Sequence, residues 1–436
     1  MSKVAVWPTN ESEVPLLWRG DVLVVGGGSA GSAAAVAAAR AGADTLLLES
    51  GGFLGGTGSR VLDTFYGFFA PGSGERVVGG VGWEVCRRLE QMGMSFQRAN
   101  TYGAGTGVTY EPEALKLVWD QIVHDSGAKV LFYALALTPV LDGRTITGAI
   151  VATKAGLGRV EATVVIDASG DGELSWRAGA EFAPASRLSD LQPATATFRM
   201  GGVGDRPDTA TLHRLTREAA EQGYALPRLE GSAHETLLPG VVHTNMTRIS
   251  GKDLTDPWQL TEAEQEGRRQ VFEYARFLRE RVPGYEDSYL LGSAPRLGIR
   301  ETRRLQGAYV LDEQDFLGCA RHEDDIALCG APLEDHSAGS ETRWQYVGGR
   351  EAPDGALFGI PYRTLVPRGV TNLLVAGRFF SATHEAHASA RSIGQCTAMG
   401  MAAGRAAAIA VQNQISPEKV DPTQLRGELS KEGALL

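Results

Sequence analysis

Residues 22–25 (Val-Leu-Val-Val) open a stretch, 22–39, that runs 18 residues without a charge. That length meets the rule for a membrane-spanning helix. Its middle is filled with glycine and serine, however, and Glu11, Glu13 and Asp21 precede it where a signal peptide wants basic residues. The stretch therefore reads as a buried parallel strand, a small-residue turn and an alanine-rich helix over 32–41. Thr45 and three leucines predict a second strand. Ala114, Leu117, Val118 and Ile122 mark the apolar side of a helix over 113–124, and a strand is expected over 129–134. Period-two runs at 145–153 and 159–163 predict a hairpin, and a further strand over 164–167 ends in small residues. Residues 261–281 predict a charged helix, 372–376 a strand closed by Gly377, and 392–411 a small-residue helix.

Three strands, near the start, the middle and the end of the chain, thus finish in glycine. In a doubly wound sheet such turns meet at the carboxyl ends of the strands, where ligands bind. The first turn carries G-x-G-x-x-G at Gly26, Gly28 and Gly31. Gly26 permits the turn, Gly28 lets backbone approach a pyrophosphate at a helix N-terminus, and Gly31 allows close packing of helix on strand. Glu49 follows 18 residues after Gly31, at the end of the second strand, where an acid accepts hydrogen bonds from a ribose. The small residues after it, among them Ser50, Gly55, Gly56 and Thr57, suit a chain passing under a large planar cofactor, whereas an NAD domain normally enters a helix there.

Composition narrows the classes. The chain has 436 residues, 42 basic and 52 acidic, a net charge of −10, which excludes a basic nucleic-acid groove as its dominant feature. Glycine supplies 55 residues, well above its ordinary share of about 7%. The four cysteines (Cys86, Cys319, Cys329, Cys396) form no C-x-x-C pair, which excludes a disulfide scaffold and a redox dithiol and points to a reducing cytoplasm. Cys319, His322, Cys329 and His336 fit no standard zinc spacing, so no metal is expected; His336 alone is a candidate for the pocket.

These residues resemble a known family. The turn at 25–31, I-D-A-S-G-D-G at 166–172, G-I-R-E-T-R-R-L-Q-G at 298–307, and N-L-L-V-A-G-R with S-A-T-H-E-A-H-A-S-A-R inside 372–391 are similar, in that order, to the bacterial FAD-dependent oxidoreductases related to succinate dehydrogenase and fumarate reductase flavoprotein subunits. The resemblance spans about 21–411. It implies an α/β fold: a Rossmann-type FAD-binding domain, a doubly wound parallel sheet with a β-meander, split into 15–181 and 359–415. A substrate domain of α+β type (182–358) is inserted between the halves, and a tail (416–436), polar and expected to be peripheral, follows.

By position, the resemblance implies FAD pyrophosphate at Gly26, Gly28, Ser29, Ala30 and Gly31, the ribose at Glu49 and Ser50, and adenine along Ala136. Gly55, Gly56 and Thr57 would line the flavin, with Ala168, Ser169 and Gly170 beside the dinucleotide and Gly377 and Arg378 toward the ribitol. Arg378 stands where common flavoproteins carry a ribitol-binding acid. The helix opening at Gly394, Gln395, Cys396 and Thr397 would aim its positive end at the flavin. The histidine that carries covalent flavin in succinate dehydrogenase has no counterpart in 51–59, so FAD is expected to be non-covalent.

His387 and Arg391 have the spacing of a substrate-gripping pair in fumarate reductases; with His384 they either handle substrate and proton or brace the loop. Arg300, Arg303, Arg304 and Glu301 form either a salt-bridge hub or, through Arg300, a face toward flavin. The expected activity is hydride transfer between flavin N5 and a small organic substrate. The alternatives are a monooxygenase or oxidase using oxygen, and an electron-transfer subunit of a larger complex. The halogenase motif W-x-W-x-I-P and the G-D motif of aromatic hydroxylases are absent. The partners left open are an electron-acceptor protein, a quinone or oxygen, and a second copy in a homodimer; nucleic acid and a membrane span are not expected.

Overall fold

The computed structural model describes residues 13–100, 103–184, 187–336 and 342–436. Its main sheet is built around the parallel strands Leu16–Val25, Thr45–Glu49, Lys129–Phe132, Gly156–Asp167 and Leu373–Val375, with Leu16–Val25 between Thr45–Glu49 and Gly156–Asp167. The strand Gly156–Asp167 is shared. Its first half pairs antiparallel with Thr145–Thr153, which continues to Leu135–Asp142 as a meander, and its last residues pair parallel with Leu373–Val375. The runs read separately at 159–163 and 164–167 are thus one long strand, because pairing on both sides carries it through the sheet. The helices match their expected places with ends shifted by a few residues: Ser29–Arg40, Pro112–Ser126, Pro257–Arg281 and Ile393–Asn413.

The alanine-rich sequences exist for one crossing. Helices Ser29–Arg40 and Ile393–Asn413 touch backbone to backbone: a Cβ on Gly400 would sit 2.0 Å from the Ala30 carbonyl oxygen, and one on Gly404 would sit 2.1 Å from that of Ala34. Close approach of this kind buries both helices almost completely. The charge-free stretch is therefore strand plus helix inside a sheet protein. Among the described residues no helix is long and apolar enough to cross a membrane.

A second core lies in residues 194–297, where Phe198, Met200, Tyr274, Phe277 and Leu278 pack between a four-stranded antiparallel sheet and the helices Thr209–Glu221 and Pro257–Arg281. Leu311, Phe316, Ile326 and Phe358 join the main core instead. The C-terminal tail, expected to be peripheral, forms helix Pro422–Lys431 and buries Leu425 and Leu429 in that same core.

The two cores are joined at Asp63, which precedes the strand Thr64–Phe65. Three strands of the second sheet present Arg199, His243 and His234 in one cross-strand row. Asp63 Oδ1 lies 2.8 Å from His234 Nε2, and Oδ2 lies 3.5 Å from His243 Nδ1 and 3.8 Å from Arg199 Nη2. Burial works against the Asp63 charge, but His243, His234 and Arg199 outweigh it and hold the carboxyl well below its usual range.

Candidate functional site

A cavity of about 540 Å³ runs along the carboxyl ends of the parallel strands into the second body, a volume in the range of cofactor and small-molecule sites. Its walls include Gly26, Gly28, Ser29, Ala30, Glu49, Ser50, Gly56, Thr57, Ala136, Ala168, Ser169, Gly170, Gly377, Arg378 and Cys396. Residues from six separated pieces of chain are therefore brought together.

The cradle is made of backbone. Gly26 has φ +99° and stands against the Ala168 carbonyl oxygen, which a Cβ would approach to 2.6 Å. Helix Ser29–Arg40 begins at Gly28 with no side-chain cap and no acid in its first turn. Its amides and dipole are thereby left for an anion. A Cβ on Gly28 would meet nothing nearer than 3.9 Å. Glu49 is buried, and its carboxylate accepts from Gly27 N at 2.9 Å, Gly51 N at 2.6 Å and Arg60 Nη2 at 2.6 Å. The donor set, the open glycine and the cradle fit a dinucleotide.

Five residues expected at the cofactor do not line the cavity. Gly31 packs against the strand turn, where a Cβ would fall 1.8 Å from Gly26 O, so its role is the helix–strand contact. Gly55 donates to Gly27 O and accepts from Ser29 Oγ, holding the two loops together. Gly394 N donates to Tyr66 O, Gln395 Nε2 donates to Gly67 O and Leu328 O, and Thr397 Oγ1 donates to Ile393 O. The opening of helix Ile393–Asn413 instead faces the cavity through Ser392, Ile393 and Cys396, again with no side-chain cap and no acid in its first turn.

At the far end, Arg300 and Arg391 line the cavity as candidates, but His384 and His387 do not. His387 is fully buried; its Nε2 lies 2.6 Å from Arg378 O and must carry the hydrogen, since a carbonyl oxygen only accepts. Burial, with Arg391 and Arg304 nearby, pushes it down to about 3 and keeps it neutral. His384 bridges Glu301 at 2.9 Å and Asp335 at 3.3 Å. Burial opposes its charge, but the hydrogen bonds to Asp335 and Glu301 prevail and raise it to about 9. Each ring is held against the protein, His387 through Nε2 at Arg378 O and His384 through Nδ1 at Glu301, and neither lines the cavity. Of the arginine knot, Arg304 pairs with Glu301 at 2.9 Å and Arg303 lies over the Trp176 ring, while Arg300 turns to the cavity and donates to Pro193 O at 2.6 Å.

The cavity also holds residues that sequence reasoning left without a role: Arg60, Tyr66, Asp171, Arg228, Glu334 and Trp344. Asp171 lay inside the I-D-A-S-G-D-G motif and could have been found there; the others carry no local pattern. His336, noted as a pocket candidate, does line it, with Nε2 3.1 Å from Glu334 Oε1 and Nδ1 2.9 Å from Thr342 Oγ1. Among the described residues no group of three His, Cys, Asp or Glu is placed to hold a metal ion.

Comparison with known proteins agrees with this architecture. A geranylgeranyl bacteriochlorophyll reductase-like protein from Thermoplasma acidophilum superposes with TM-score 0.50 at 16% identity, covering 95% of this chain and 82% of that one. The myxobacterial chondrochloren halogenase CndH, a FAD-dependent halogenase, gives 0.48 at 14% over 95% of this chain and 78% of its own. The p-nitrophenol 4-monooxygenase PnpA from Pseudomonas putida DLL-E4 gives 0.46 at 12% over 94% and 84%. At 16% identity the first of these likenesses is one of fold alone. No curated protein matches the sequence significantly. The model of one family, described as FAD dependent oxidoreductase, matches residues 21–429, and the chain belongs to that family.

Proposed function

We propose that this flavoenzyme moves a hydride between the flavin N5 of non-covalent FAD and a small organic substrate held at the arginine end of the cavity. The observation that carries the reading is continuity: one cavity joins the glycine turns to Arg300 and Arg391. Bound FAD supplies the hydride chemistry. The chain's own part is to bind and orient. The amides at Gly28, Ser29 and Ala30 take the pyrophosphate, Glu49 the ribose hydroxyls, and Arg391 and Arg300 position the substrate with rigid guanidinium forks. Within the span 182–358, the body with its own core at 194–297 serves as the substrate domain and gives that end its rigidity.

Kinship with succinate dehydrogenase and fumarate reductase flavoproteins is supported by the order of the four motifs. The four thiols, all unbridged, support a reducing cytoplasm. Anaerobic mixing of the FAD-loaded protein with alcohols, amines, sugars and carboxylic acids tests the activity. Bleaching of the flavin band by one class is the expected result; oxidation of the reduced protein by oxygen together with substrate hydroxylation would overturn it.

A further inference from the structure

The far end of the cavity holds buried positive charge that makes no direct ion pair among the described residues. Arg228, Arg300 and Arg391 line it, and Arg248 stands behind them with its guanidinium on the His336 carbonyl. The hydrogen bonds these groups make go to neutral oxygens: Arg228 to the Asn245 backbone and side-chain oxygens at 3.1 and 3.3 Å, Arg300 to Pro193 O. The Nε atoms of Arg228 and Arg391 are buried with no partner among the described residues. Burial, with the neighbouring Arg228 and Arg391, pushes Arg300 down to about 9.

The nearby acids are spent elsewhere. Glu301 accepts from Arg304, His384 and Gln192 N, and Asp335 from His384 and the Gln192 amide. Among the described acids at this end, Glu334 lines the cavity together with the arginines. Burial works against its charge, but His336, Arg391 and Arg300 outweigh it and hold the carboxyl well below its usual range. A buried charge is costly unless it is paired. Among the described residues at this end, one carboxylate against three lining guanidiniums leaves room for an incoming anion.

We propose that Arg228, Arg300 and Arg391 form an anion subsite for a carboxylate, phosphate or sulfate group on the substrate, and that Glu334 is its internal competitor. This rests on the reading of the cavity as the substrate site. Glu334 is held by His336 and shares the cavity with the arginines, whose charge acts on it without a direct ion pair among the described residues. An incoming oxyanion takes the guanidinium forks, and Glu334 retains the His336 contact that already holds it at 3.1 Å. The subsite is thereby selective: a neutral ligand gains nothing from displacing Glu334, and an anion with two oxygens in a plane gains bidentate bonds.

The test is titration of the FAD-loaded protein with malonate, inorganic phosphate and sulfate at constant ionic strength, sodium chloride being the control. Binding is followed by the flavin spectrum and by tryptophan fluorescence, Trp344 being a cavity residue. The expected result is saturable binding of one oxyanion class, which separates carboxylate from phosphate and sulfate. Arg391→Gln and Arg300→Gln should weaken it by about 10–100-fold, the range for a charge-assisted hydrogen bond. Glu334→Gln should tighten it about tenfold or more, because a like charge leaves the site. Glu334→Asp draws the carboxylate back by one methylene and gives the same direction should the glutamine variant not fold. Weaker or unchanged binding in the Glu334 variants, or no saturation by any anion in protein that carries FAD, would overturn the proposal while leaving the flavin reading intact. A protein that takes up no added FAD yet still binds the anion by fluorescence would keep the subsite and refute the flavin reading.

Discussion

Arg378 reaches from the glycine turn after Leu373–Val375 to Asp171 in the turn after Gly156–Asp167, its Nη2 lying 2.5 Å from Oδ1. Thr302 Oγ1 donates to the same oxygen at 2.6 Å. The ion pair fastens the two turns, and with them two walls of the cavity, together there. Asp171→Ala should free Arg378 and weaken FAD binding about tenfold, a loss of the size of one charge-assisted hydrogen bond. Equilibrium dialysis with FAD checks this; unchanged affinity would remove Arg378 and Asp171 from the cofactor wall.

Glu49 collects two backbone amides and Arg60, so its carboxylate is fixed before any ligand arrives. Glu49→Ala should weaken FAD binding by about 10–100-fold. Fluorescence titration of the apoprotein with FAD reads the change. An effect below about threefold would place the ribose elsewhere.

His387 is expected to act on stability, with no direct part in turnover. Removing it strands the Arg378 carbonyl, and His387→Ala should cost about 1–3 kcal/mol of stability while turnover per bound flavin stays within about twofold. Arg391→Ala should reduce turnover by a hundredfold or so. The neutral ring also gives a pH signature. Its folded value, about 3, lies below the ordinary 6.5. The unfolded chain therefore takes a proton first, and stability falls as pH drops from 6.5 toward 3. His387→Gln should flatten that limb of the Tm profile.

His384 has the opposite sign. Its folded value, about 9, exceeds the ordinary 6.5, so the ion pairs with Glu301 and Asp335 contribute fully below pH 6.5 and are lost as pH rises through 9. By linkage the loss is on the order of 2–3 kcal/mol. The Tm difference between wild type and His384→Gln should shrink steadily from pH 6.5 to 9.5; a constant difference would deny the charged pair.

The cofactor end of the site was legible because a pyrophosphate constrains local sequence: glycines, a strand, a helix start and Glu49 fall within 24 residues of one another, from Gly26 to Glu49. The substrate end was not. Arg228 and Glu334 come from chain segments more than a hundred residues apart, and only the packing of the second body on the sheet brings them to one cavity. The placement of His384 and His387 off the cavity wall was hidden for a related reason. Their spacing puts them on one short helix, His384–Ala390, but which side of that helix meets the cavity is decided by Glu301 and Arg378 O, and neither is visible locally. The tail was misjudged because its polar residues hide Leu425 and Leu429 at the four-residue spacing of a helix.

The central claim is that this cavity holds FAD without a covalent bond, and the visible spectrum of the purified protein tests it most directly. The account predicts a yellow protein with stoichiometric flavin that passes entirely into the supernatant on acid denaturation and is identified there as FAD. A colourless protein that takes up no added FAD, or colour that stays with the precipitated chain, would contradict it.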